Sequence, residues 1–338
     1  MFNLKNNSNL ENTLIILFSL FPVSILLGVL FINLFILAIS SIFIIILLKN
    51  KKDFFSYKEN NYLIFLMLFF LLSLTVNLVF SNNIYLSYQR VIKIIFVIFF
   101  VLAFKFLVIN HHQNLKKIYG LWCVIFLVVI FDLIIEFYFG RNILNQSTKM
   151  PGRIGSFTGE ESVIGGFFFA FCLIFLSYAY NKSRNKIFNI SLAIFLVVIS
   201  FFIGERANFI RTLIVIIMFI FFVFKTSYKI KFFSSIITVT MIYLLFLNMN
   251  SEYKMRYFNQ IKLIFTPGGL TTYLDNSKYG AHRNVAKEIF FDNPLFGVGI
   301  KNFRIESANK KYDNLDHKLN GARAANHPHE LYYEFLSE

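Results

Sequence analysis

Residues 118–138 read IYGLWCVIFLVVIFDLIIEFY, an apolar run broken by charge only at Asp132 and Glu136. A hydrocarbon core of about 30 Å is crossed by roughly 20 such residues wound as a helix, so this stretch predicts a membrane-spanning helix. The same template fits on both sides of it. Spans are expected near 13–29, 31–48, 62–80, 91–109, 118–138, 163–180, 187–203, 207–224 and 231–247. The first two share one long apolar run, so a tight hairpin between them follows from length alone. A membrane barrel would need short segments of alternating polarity, and these runs do not alternate.

Composition agrees. The chain is 57% hydrophobic and 15% charged, which places it in the membrane class rather than among soluble domains. Its 46 Phe accompany abundant Ile, Asn and Lys; a coding bias towards A and T favours all four, so the Phe are not read as a binding surface. Cys123 and Cys172 both sit inside apolar runs, so neither a structural disulfide nor a cysteine metal site is expected. The first apolar stretch has a weakly basic start and no small-residue cleavage site, and reads as an uncleaved first span.

Lysine and arginine orient the spans. One side carries Lys5, Lys49, Lys51, Lys52, Lys58, Lys105, Lys116, Lys117, Lys182, Arg184, Lys186, Lys225, Lys229 and Lys231, which makes 14; the other carries Arg90, Lys93, Arg141, Lys149, Arg153, Arg206 and Arg211, which makes 7. The lysine-rich side is expected to be cytoplasmic, with the N-terminus inside and everything after Leu247 outside. The chain then divides into a transmembrane region at 1–247, a periplasmic loop at 248–326 and the start of a further membrane helix at 327–338. That helix stops after about three turns, so further spans are expected beyond this sequence. The segment from 248 onward holds 12 Lys and Arg against 10 Asp and Glu. The net charge of +15 is therefore mainly a topology signal, and no nucleic-acid partner is expected. A polar segment this long between spans is more than a connector needs, and long loops tend to carry function.

Charged groups at the ends of spans are the candidates for chemistry. Gly204-Glu205-Arg206-Ala207-Asn208-Phe209-Ile210-Arg211 lies at an outer turn with little loop around it. Arg206 and Arg211 read either as anion-recognising guanidinium forks or, for Arg206, as half of a structural pair with Glu205. Residues 151–162, PGRIGSFTGEES, precede a span and could offer backbone N–H groups to an anion, with Arg153 beside them, or could simply form a loop. Asp132 and Glu136 share one helix face; a polar contact with neighbouring structure is the expected role, and an acid/base pair the alternative. His111 and His112 read as solvated.

The loop carries two patterns. Residues 281–290, AHRNVAKEIF, form an apparent amphipathic helix with Arg283 on it, and run into the Gly- and Pro-rich stretch DNPLFGVGIKNF at 292–303. His327-Pro328-His329-Glu330 then opens a helix with Pro in its first turn. No acidic or cysteine cluster accompanies the two histidines at metal-ligand spacing, so no metal is expected. His329, at the membrane surface, is placed to serve as a base.

In order and in pieces, the chain resembles the O-antigen ligase family, which shares a domain with some O-antigen polymerases. The family has an arginine in a G-x-R turn, matched by Gly204-Glu205-Arg206. Its large periplasmic loop has an arginine-bearing helix followed by N-P-L-F-G-V-G, matched by Arg283 and residues 293–299. It closes on H-P-H-N, matched by His327-Pro328-His329, with Glu330 where the family has Asn, Ser or Gln. The departure at Glu330 would retune the basicity of His329 or mark a divergent branch.

The resemblance implies an all-α membrane protein with a GT-C-like fold and a mainly helical periplasmic loop, in a bacterial inner membrane. It implies transfer of a glycan from undecaprenyl diphosphate to a hydroxyl of lipid A–core. Arg206 and Arg283, with Arg211 and Arg153 in support, would hold the diphosphate, and His329 would be the base, supported by His327, Glu330 and Glu205. A diphosphate leaving group calls for neither metal nor cofactor, and a single displacement inverts the anomeric carbon. The partners implied are the lipid-linked donor, the lipid A–core acceptor and membrane lipid. A polymerase joining lipid-linked repeats would use the same residues. A transporter or flippase is the rival of another class, disfavoured by the absence of repeated halves.

Overall fold

The computed structural model describes residues 8–49, 58–148, 150–161, 163–183, 185–259, 262, 265–329 and 331–338. Helix makes up 78% of it, with no strand among the described residues, so this is an all-α chain. Each of the nine apolar stretches forms a helix: α1 (Asn9–Leu26), α2 (Val29–Lys49), α3 (Lys58–Val79), α4 (Ile84–Asn110), α5 (His112–Phe139), α6 (Ile164–Lys182), α7 (Lys186–Phe202), α8 (Arg206–Phe222) and α9 (Tyr228–Asn248). Seven are long and apolar enough to cross a membrane, which makes the chain a multi-pass membrane protein. The other two, α7 and α8, are 17 residues each.

Local chemistry sets the helix ends. Ser8 and Glu11 form a capping box on α1, each side chain accepting from the other's backbone N–H at 3.3 and 2.9 Å. Gly28, at φ +100°, turns the chain between α1 and α2, so the hairpin expected from length is a glycine turn. The Asn185 side chain accepts from the backbone N–H of Ile187 and Phe188 to start α7.

The chain divides into two compact units. Unit 1 comprises Met1–Ile42 and Ala103–Gln260. Its core is a helix-on-helix contact of α1, α5, α6 and α7, where Leu14, Phe18, Ile118, Phe126, Phe168 and Leu196 are all but excluded from the surface. Trp122 on α5 donates its indole N–H to the Phe18 carbonyl on α1 at 2.8 Å. Lipid tails are as apolar as these side chains, so close packing and such hydrogen bonds, not expulsion of water, hold the helices together.

Unit 2 comprises Phe43–Leu102 and Ile261–Glu338. The C-terminal part of the polar segment, from 261 onward, therefore shares a unit with α3 and the first part of α4. Its centre is α10 (Lys278–Asp292), begun by Ser277, whose hydroxyl accepts from the N–H of Gly280 at 3.2 Å. The amphipathic pattern expected over 281–290 holds. Val285, Ala286 and Ile289 form one buried stripe, completed by Val298, Phe303 and Tyr312. Where the alternative is exposure to water, burying each of the larger side chains stabilises by roughly 1.5–3 kcal/mol.

The DNPLFGVGIKNF stretch is the clamp of this unit. Asn82 N–H donates to the Val298 carbonyl at 2.9 Å, and the Asn77 side chain accepts from Ile300 N–H at 2.9 Å and donates to the Phe296 carbonyl at 2.7 Å. Ser87 on α4 donates to the Ile300 carbonyl and accepts from the Asn302 amide. Phe80 stacks on Phe296, with ring centres 4.1 Å apart. Gly299 is required here: it sits at φ +98°, and a Cβ on it would lie 2.2 Å from that of Ser81. The last helix, α11 (Leu331–Ser337), begins after His329, not at Pro328 as the sequence predicts. It closes the unit, with the Ser337 carbonyl accepting from Val298 N–H.

Candidate functional site

Unit 1 holds Arg153, Glu205, Arg206 and Arg211. The acidic pair below them is fully engaged in structure. Asp132 accepts from the Ser156 hydroxyl at 2.5 Å and from Ile143 N–H at 2.7 Å; Glu136 accepts from the N–H groups of Gly155 and Ser156 at 3.2 and 2.6 Å. These carboxylates hold Ile143, Gly155 and Ser156 in place, the polar contact with neighbouring structure that was expected of them. The anion-cradle reading of that loop also changes. Three of its amides are taken, Gly155 and Ser156 by Glu136 and Ile154 by the Ile203 carbonyl at 3.1 Å.

That last bond brings two arginine-bearing turns together. Gly204, at φ +77°, lies so close to Gly152 that a Cβ would meet its carbonyl oxygen at 2.0 Å and the Arg153 Cα at 3.1 Å. Glu205, only 7% exposed, does not pair with Arg206. Its carboxylate accepts from Gly165 N–H at 3.1 Å, at the start of α6, and from the Asn208 side chain at 2.6 Å. It neutralises the exposed amides and dipole of a helix N-terminus. Among the described residues the Arg206 guanidinium has no ion pair. Arg153 reaches only the Met150 sulfur at 3.5 Å and leaves its buried Nε without a partner. Arg211 makes one long contact, 3.5 Å to Asn208. A cleft of about 380 Å³ opens beside Gly152 and Arg153, walled on its other side by Asn248, Asn250 and Tyr253. Phe137 and Ile154 are shared between this cleft and an apolar groove lined by Phe195, Val198 and Phe202.

Unit 2 holds Arg283, His327 and His329; Glu330 lies outside the described residues. Arg283 on α10 lies over the Tyr333 ring of α11, 5.5 Å from its centre, with Nε donating to the phenol oxygen at 3.4 Å. His329 sits at φ +60°, a left-handed conformation that a non-glycine residue adopts at a cost and that gathers at functional sites. It is exposed on one side and otherwise surrounded by rings. His327, His282 and Tyr279 have ring centres 4.1, 5.2 and 5.4 Å away. Burial holds the His329 imidazole below its ordinary pKa, and the neighbouring His327 pushes the same way. At neutral pH it is a free base. Among the described residues no group of three or more His, Cys, Asp or Glu is arranged to hold a metal.

Sequence reading missed His282, Tyr279 and Tyr333, which meet the motif residues only once α10 and α11 pack. It also missed a cluster of cations. Lys301, at φ +70°, is held below the ordinary lysine range by burial and by repulsion from Arg304, Lys93 and Arg90, with Glu338 acting against. The signal was present: Arg90 and Lys93 are cations on the side that lysine otherwise avoids.

Comparison with family models, with curated proteins and with solved structures finds no match.

Proposed function

We propose that this protein is an O-antigen ligase-type glycosyltransferase that moves a glycan from undecaprenyl diphosphate to a hydroxyl of lipid A–core, at the periplasmic face of a bacterial inner membrane. The observation that carries this reading is the diversion of Glu205 to the start of α6. It leaves Arg206, next to the Arg153 turn, uncompensated by any carboxylate among the described residues. Unpaired guanidinium groups at the end of a membrane helix call for an anionic ligand, and a fork of N–H donors suits phosphate oxygens.

In the proposed reaction Arg206 and Arg153, with Arg211 in support, hold the diphosphate; the family resemblance alone assigns Arg283 to it as well. The His329 imidazole takes the proton of the acceptor hydroxyl as its oxygen bonds to the anomeric carbon. The bond from that carbon to the diphosphate oxygen breaks, and undecaprenyl diphosphate leaves with the electron pair. The charge that develops on the leaving oxygen is what the arginines stabilise. Proton removal by a positioned base contributes typically ~10²–10⁴-fold. One displacement inverts the anomeric centre. The cations around Lys301 add to the attraction for an anionic substrate. The test is reconstitution with an undecaprenyl diphosphate-linked glycan and, in separate arms, lipid A–core or a second lipid-linked glycan. Product on lipid A–core supports the ligase, and lengthened glycan on the carrier makes the protein a polymerase.

A further inference from the structure

His282 is the one histidine near the motif that is almost wholly buried, at 6% exposure. It sits on α10 one residue before Arg283, where a packing residue would serve the helix stripe as well. Its Nε2 lies 3.0 Å from the Ala322 carbonyl oxygen. A carbonyl only accepts, so Nε2 carries the proton and Nδ1 the lone pair. Nδ1 is itself buried and has no hydrogen-bond partner among the described residues. Adding a proton there would bury a charge, so the ring stays neutral. Burial indeed holds it below the ordinary imidazole value, and His327 and Lys278 act the same way against the Ala322 hydrogen bond.

This neutral, tethered ring lies nearly parallel to that of His329, at 23° and 5.2 Å between centres. Tyr279 stands edge-on to both rings, at 88° to His282 and 84° to His329. Three further charged or titratable groups of this unit have partners among the described residues. Arg283 lies over Tyr333, Arg323 pairs with Asp313, and His317 bonds to the Leu274 carbonyl. His329 has a left-handed backbone, and a strained residue keeps its geometry only where its surroundings over-determine it. The flat face of His282 is the part of those surroundings that is fixed by a hydrogen bond of its own.

We infer that His282 is the positioning residue of His329: an uncharged platform, locked on Ala322, that fixes the plane of the base and covers one of its faces. This rests on the reading of His329 as the base. Its test therefore uses a readout that does not depend on glycan transfer. Diethyl pyrocarbonate modifies only the unprotonated imidazole. Its rate at His329, followed across pH by peptide mass spectrometry on the full chain, reports the titration midpoint of that residue.

Two variants decide. His282→Asn keeps a donor for Ala322 and removes the ring; the His329 midpoint should rise towards the ordinary imidazole value. His282→Phe keeps a neutral ring; the midpoint should stay where the wild-type chain has it. Where transfer is measured, His282→Asn should lower turnover by on the order of 10²-fold, the scale of a misplaced catalytic group, with little change in donor KM. Folding of each variant is checked by its melting temperature. An unchanged midpoint in folded His282→Asn, or an equal rise in both variants, overturns the inference. Unaltered transfer by His329→Ala would instead remove the base reading, and would leave the measured midpoints standing.

Discussion

The carboxylate of Glu205 accepts the backbone N–H of Gly165 at 3.1 Å, and a Cβ on Gly165 would lie 2.5 Å from its second oxygen. A glutamate just before α8 thus caps the start of α6, two helices earlier in the chain. Two residues are matched by this contact: position 165 must lack a side chain, and position 205 must carry an acceptor. Glu205→Gln keeps the shape and removes the charge, and should cost about 1 kcal/mol, the range of a partly buried charge at a helix N-terminus. Gly165→Ala should cost about 1–3 kcal/mol through crowding. Thermal melting of the detergent-solubilised protein reads both, and a Glu205→Gln variant as stable as wild type would contradict the capping role.

Arg206 should behave oppositely. With no ion pair to lose among the described residues, Arg206→Lys should insert and melt as the wild-type chain does. Its ammonium cannot supply the two parallel N–H donors of a guanidinium, so glycan transfer should fall by at least about tenfold, the 1.4 kcal/mol scale of one charge-assisted hydrogen bond. Full transfer by the lysine variant would reduce Arg206 to an interfacial anchor.

Gly299 is tested by a single methyl group. Alanine there would meet Ser81 and would also be forced to φ +98°, so Gly299→Ala should destabilise by about 1–3 kcal/mol. The damage should centre on the clamp between residues 77–87 and 296–302. Hydrogen–deuterium exchange of those two segments should rise together, and a rise confined to one of them would show that they do not depend on each other.

The pH dependence follows from His329. Burial first, then His327, holds its pKa below the ordinary value of 6.5. A lowered value keeps the base unprotonated into mildly acidic solution. The kcat/KM for transfer, which reports the free enzyme, should therefore be level through neutrality and decline only as pH falls through a point under 6.5. A decline centred at or above 6.5 would mean that another group titrates.

Much of the fold was legible because helix length in a membrane is a nearly one-dimensional property. Nine apolar runs gave nine helices among the described residues, with ends that moved by at most seven residues. Interruptions such as Asp132 and Glu136 were legible as polar groups seeking partners, but not the partners, since Ser156 is twenty residues away in a loop without periodicity. The turn before α8 was half legible. Arg206 stood out by its place at the end of an apolar run, whereas the diversion of Glu205 to Gly165 crosses forty residues and is invisible without packing. The DNPLFGVG stretch announced a turn through its Gly and Pro. That it clamps onto Asn77, Ser81 and Ser87 needed the structure, because Asn77 sits inside an apolar run and the two serines look like ordinary connector. His282 read as one more position on an amphipathic helix, and only the approach of residues 322–329 makes it a neighbour of the base.

The most direct test of the proposed function is transfer in proteoliposomes holding the purified full chain, a labelled undecaprenyl diphosphate-linked glycan and lipid A–core. The account predicts that label moves to lipid A–core with no nucleotide added and with chelator present, and that His329→Ala, inserted at the same level, moves none. Label left on the carrier lipid by the wild-type chain, or transferred equally by His329→Ala, would contradict it.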